Sequence, residues 1–85
     1  MNPLITPTIH LNGTSREALA EQYGAIMDAA NALLDAIRAA APNDRDYYPQ
    51  GPLAGSRARG AMYNRELEVI KLLVDFREIA MEVSP

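Results

Sequence analysis

MYNRELEVIKLLVDFREIAMEV, residues 62–83, decides the fold of this chain. Its apolar residues recur at spacings of four and three, the period of an α-helix rather than the alternation of a half-buried strand. One stripe is Met62, Val69, Leu73, Phe76, Ala80 and Val83, interrupted by Glu66. A second is Tyr63, Leu67, Ile70, Val74 and Met81, interrupted by Arg77. Leu72 and Ile79 extend the apolar surface, which leaves Asn64, Glu68, Lys71, Asp75, Glu78 and Glu82 as a narrow polar ridge. A helix packed on one neighbour needs a single apolar stripe, about 100° wide or a little more. Large exposed apolar patches are uncommon on monomers. Two stripes therefore predict two neighbours, one within the chain and one from another subunit.

The neighbour within the chain lies upstream. Thr14-Ser15-Arg16-Glu17 has the form of a capping box, with Thr14 as N-cap and Glu17 reaching back. From there Leu19, Tyr23, Ile26, Ala30, Leu33, Ile37 and Ala40 form a seam, widened by Ala20, Met27, Leu34 and Ala41. Glu21, Asp28, Asn31, Asp35 and Arg38 lie opposite as a solvated stripe, and Pro42 ends the helix. The first helix is expected over 14–41, the loop over 42–52 and the second helix over 53–83, with Pro52 in its first turn. Gly55 and Gly60 each cost up to ~1 kcal/mol against Ala, so that start should be frayed, kinked or closely approached.

Residues 1–13 read as an extended arm. Pro3 and Pro7 disfavour helix, and Pro7 limits any strand to a sheet edge. Asn12-Gly13 is a turn signal. Leu4, Ile5, Ile9 and Leu11 favour an arm docked on a neighbouring surface over a floppy one. The expected fold is all-α: a single domain over 1–85, built as an antiparallel two-helix hairpin with an extended N-terminal arm. It is expected to assemble through the second helix into an oligomeric helical bundle, most simply a dimer.

Composition narrows the chemistry. With 85 residues and no cysteine, the chain lacks disulfides to staple a small core, which again favours tight packing or self-association. The single histidine, His10, argues against a histidine zinc site, and no metal or cofactor is expected. A net charge of −3 argues against general nucleic-acid binding. No apolar run approaches the ~20 residues of a membrane span. The start of the chain lacks the pattern of a signal peptide, so the expectation is a soluble cytoplasmic protein. There is no cysteine nucleophile, no GxSxG and no GxxxxGK loop, so an enzyme is the least expected class. Asp44 and Asp46 read as a capping pair in a turn. Tyr23 and Tyr63 read as core residues with polar tips, and Met27, Met62 and Met81 as gap-fillers.

The remaining candidate is the loop Arg45-Asp46-Tyr47-Tyr48-Pro49-Gln50-Gly51, which opens a stretch with no acid between Tyr47 and Arg65. Tyr47 and Tyr48 offer flat amphipathic surfaces for a ring. Arg45, Arg57, Arg59 and Arg65 offer planar forks for phosphate or carboxylate. Gln50 adds a polar contact, and a helix start beside Gly51 would add free N–H donors. His10 and Asn12 are a second candidate pair, in the arm. The expected ligand is a nucleotide-like small molecule. The competing reading has the tyrosines closing the hairpin as a local mini-core and the arginines pairing with Asp44, Asp46 and Glu66.

Two stretches, PTIHLNGTSREAL at 7–19 and APNDRDYYPQG at 41–51, resemble a group of short phage and prophage proteins. The resemblance covers roughly half of the chain and implies a viral accessory or host-takeover role in the host cytoplasm. It implies no reaction and brings no functional residues. In plan alone, the chain is similar to phage sponge proteins, small helical oligomers that sequester nucleotide immune signals of the bacterial host. The leading expectation is therefore an anti-defence sponge, and the alternative is an interaction module that inhibits a host or phage protein by docking on it.

Overall fold

A computed structural model describes residues 4–83. Helix α1 spans Arg16–Ala39 and helix α2 spans Ala54–Val83, joined through two 3₁₀ turns at Asp44–Asp46 and Tyr48–Gln50. No strand occurs among the described residues. Arg38, near the end of α1, pairs with Glu66 in the first half of α2, while Tyr23 meets Phe76 further along both helices. The two helices therefore run antiparallel as a hairpin, 61 × 26 × 16 Å in extent. Pro3 and the rest of 1–3, part of the expected arm, lie outside the described residues.

The start of α1 sits one residue later than the capping-box reading. Ser15, not Thr14, is the N-cap: its backbone is extended and its hydroxyl accepts from the Ala18 N–H at 3.1 Å. In this register Glu17 is the second helical residue and cannot close the box, though it still suits the positive end of the helix dipole. Both hydroxyl residues can cap, and a turn closed by Gly13 N–H donating to His10 O at 3.1 Å precedes them. At the other end Pro42 restricts Ala41 to non-helical backbone, so α1 stops at Ala39. Pro52 and Leu53 form a turn ahead of α2 instead of its first helical turn.

The core is a thin seam between the helices. Leu19 and Leu34 from α1 meet Val69, Ile79, Ala80 and Val83 from α2, all buried. Tyr23, Met27, Ala30, Ile37, Met62, Leu73 and Phe76 flank them half-buried. The Tyr23 and Phe76 rings tilt at 36° with centroids 6.1 Å apart. Each fully buried aliphatic side chain stabilises by roughly 1.5–3 kcal/mol relative to exposure. Here the seam is rotated from the one the spacing suggested. Ile26 and Leu33 are exposed, and the helix buries Leu34 instead. Adjacent apolar pairs at 26–27 and 33–34 allow either rotation, and α2 selects one.

The arm is covered only in part: Ile5 and Leu11, two of the four apolar residues expected to dock it, are 88% and 98% exposed. Leu4 and Thr6 border Glu78, Met81 and Glu82 in the last turns of α2. Leu72 and Ile79 share one edge of α2, seven residues apart, yet Leu72 is 50% exposed and Ile79 only 8%. Ile79 lies in the last turns of α2, the turns that Leu4 and Thr6 border. The second stripe of α2 stays uncovered within the chain. Tyr63, Leu67, Val74 and Met81 are each close to half exposed or more, with Ile70 half-buried between them. Tyr63 is thus a surface residue at 58% exposure rather than a core one, because α1 covers only the first stripe.

Candidate functional site

The loop end is built by local hydrogen bonds. Asn43 caps the first 3₁₀ turn: its carbonyl oxygen accepts from the Asp46 N–H at 3.2 Å, and its amide donates to the Asp46 carboxylate at 3.1 Å. Tyr47 N–H donates to Asp44 O at 3.0 Å, and Gln50 N–H donates to Tyr47 O at 2.9 Å. Gly51 then turns the chain at φ +116°, in the left-handed half of backbone space that favours glycine. Its N–H donates to Tyr48 O at 3.2 Å. The helix start expected beside Gly51 comes three residues later, at Ala54.

The loop is latched onto α2. Arg59 reaches back to the Asp44 carboxylate at 2.5 Å, an exposed pair. Gly55 is buried directly beneath it: a Cβ there would fall inside contact distance of Asp44 Oδ1 and 3.3 Å from the Asp44 Cα. The weak start of α2 is thus a close approach at Gly55. Gly60, with nothing within 4 Å of its would-be Cβ, plays no such part. Beside the latch, Asp44, Tyr47, Tyr48, Gly51, Pro52 and Gly55 line a cleft of about 340 Å³.

Of the residues singled out in the sequence, Tyr47 and Tyr48 share this cleft, Tyr47 half-buried and Tyr48 68% exposed. Arg59 stands beside it through its bond to Asp44. Arg45, Gln50, Arg57 and Arg65 do not line it. His10 and Asn12 belong to the opposite end of the rod, where His10 stacks over Gly13 and a Cβ on that glycine would meet the ring at 2.7 Å. A single copy does not bring the arm pair to the loop. Asp44, Pro52 and Gly55 line the cleft but are not residues the sequence marks as part of a site. Asp44 reads in the sequence as a turn cap, a role that Asn43 takes instead, and a helical glycine carries no mark of what approaches it.

Charge is segregated along the rod. Residues 38–66 hold Arg38, Arg45, Arg57, Arg59 and Arg65 against Asp44, Asp46 and Glu66, a balance of +2. The whole chain carries −3, so the remainder carries −5. Among the described residues no three His, Asp or Glu gather as metal ligands, and no helix is long and apolar enough to cross a membrane. No protein family, curated protein or solved structure matches this chain.

Proposed function

We propose that this protein acts by binding without turnover: a small phage-type accessory protein that holds a nucleotide-like anion and lowers its free concentration in the host cytoplasm. It does so as a homo-oligomer joined through α2. The observation that carries the ligand is the cleft walled by Tyr47 and Tyr48 at the one end of the rod where positive charge collects. A tyrosine ring stacks on a base, and since no arginine lines the cleft a phosphate would be held from outside it. The Asp44 carboxylate in the cleft is no obstacle, since Arg59 neutralises it. Arg45 and Arg57 form no ion pair among the described residues and supply the surrounding positive field.

Isothermal titration against cyclic nucleotides and ADP-ribose derivatives tests this reading. Heat with one of them, lost in Tyr48→Ala, is the expected result. No heat with any, or an unaltered affinity in Tyr48→Ala, removes it. A second reading, an interaction module that inhibits a host or phage protein by docking, is favoured by the uncovered stripe of α2. It predicts one stoichiometric protein partner from host lysate, and that this partner is lost in Leu67→Glu.

A further inference from the structure

The uncovered stripe of α2 is continuous: Tyr63, Leu67, Ile70, Val74, Arg77 and Met81 follow one another at spacings of four and three. At 1.5 Å per residue it is about 27 Å long. Beside it Met27, Asn31, Ile70, Leu73, Val74 and Arg77 line a groove of about 260 Å³ between the helices. One member does not belong in an apolar seam. Arg77 is charged, exposed, and forms no ion pair among the described residues. We infer that this stripe is the self-association face, and that a second copy docks on it antiparallel with Arg77 reaching Glu66 of the partner subunit.

A symmetric dimer presents the same patch from both copies. Parallel pairing in register sets each stripe residue beside its own mate. Arg77 would then face the partner's Arg77 inside an apolar seam, and the two acidic ends of the rods would lie together. Like charges at close quarters cost energy that nothing nearby returns. Antiparallel pairing reverses both terms. The stripe's midpoint lies level with Leu72, so centring it on itself sets Tyr63 opposite the partner's Met81 and Ile70 opposite the partner's Val74. Arg77 then falls level with Leu67 and Glu66 of the partner subunit.

The flank is right as well as the level. Glu66 and Arg77 are eleven residues apart, three turns and about 20° on at 3.6 residues per turn, so both lie on one flank of α2. Antiparallel helices bring like flanks together. Glu66 is already fixed by Arg38 at 2.9 Å, with its side chain only 18% exposed. Arg77 would complete a chain of cation, carboxylate and cation across the interface, twice by symmetry. The same arrangement sets the +2 loop end of each rod beside the −5 remainder of the other. On the far flank Lys71 approaches its own mate near the axis, and its length lets it turn to the partner's Glu78.

This inference rests on the self-association in the proposed function, and the experiment separates the two. The chain has no cysteine, so single-cysteine variants are clean probes. Light scattering of the unaltered protein should give a dimer. Under mild oxidation, Tyr63→Cys alone and Met81→Cys alone should stay uncrosslinked, while their mixture forms a disulfide dimer. Arg77→Glu should weaken dimerisation about tenfold or more, because it sets two carboxylates side by side. A monomer at all concentrations overturns self-association itself. A dimer that crosslinks in the single variants, crosslinks in no arm, or ignores Arg77→Glu overturns the antiparallel face and leaves self-association standing.

Discussion

Gly55→Ala and Gly60→Ala make the same change in the same helix and are expected to act with opposite sign. At Gly60 the new methyl meets nothing within 4 Å, so only backbone entropy and helix propensity count. Both favour alanine, by up to ~1 kcal/mol. At Gly55 the new methyl enters the space of the Asp44 carboxylate and sits 3.3 Å from its Cα. The carboxylate can swing away only by releasing Arg59, an exposed pair worth ~0–1 kcal/mol. The backbone of the loop must also yield, and overpacking of this kind costs roughly 1–3 kcal/mol. The propensity gain offsets part of that, which leaves a net loss of about 1–2 kcal/mol.

Thermal unfolding followed by circular dichroism, at one fixed protein concentration, measures both variants on one scale. In a domain of this size each kcal/mol moves the melting temperature by about 4–8 °C, so the two variants should differ by ten degrees or so. Equal midpoints would refute the close approach as the reason for Gly55. A double variant with Asp44→Ala isolates the cause. If the carboxylate is what the methyl displaces, the double variant loses less than the two single losses added together.

Three further outcomes follow from the packing. Ser15→Ala should cost about 0.5–2 kcal/mol of stability while Thr14→Ala stays within ~0.5, and the reverse order would return the cap to Thr14. Leu34→Ala should cost roughly 2–5 kcal/mol and its neighbour Leu33→Ala well under half of that, with thermal melts deciding whether the seam is rotated as described. Tyr48→Ala should leave the melting curve within about 0.5 kcal/mol of the unaltered protein, since the ring is mostly exposed. A large loss there would mean the ring closes the hairpin and does not face a ligand.

The helices were legible because their pattern is strong. Pro42 and the hydroxyls at 14–15 bounded α1 to within two residues, and the two stripes of α2 separated into one covered by α1 and one left open. Rotation about the helix axis was less legible, as Ile26 and Leu33 demonstrate, because neighbouring apolar residues satisfy the same period equally well. The loop was read by composition, and composition does not say which charges meet. Of the two readings of the loop arginines, pairing with Asp44 holds for Arg59, while Arg45 and Arg57 form no ion pair among the described residues. That pairing depends on Gly55 letting the loop close to the helix, a fact of shape that charge counting cannot supply.

The latch between the loop and α2 should also be the first long-range contact to form as the chain folds. Asp44 and Arg59 are separated by 15 residues in sequence, Arg38 and Glu66 by 28, and Tyr23 and Phe76 by 53. The entropy of closing a loop rises with the logarithm of its length, so the latch is the least costly long-range contact to make first. Once it holds, each further contact closes only the small gap left by the one before it. The hairpin should zip from Gly55 outward, and the arm should dock last. Mutations at the latch should then slow folding, while mutations under the arm should mainly hasten unfolding.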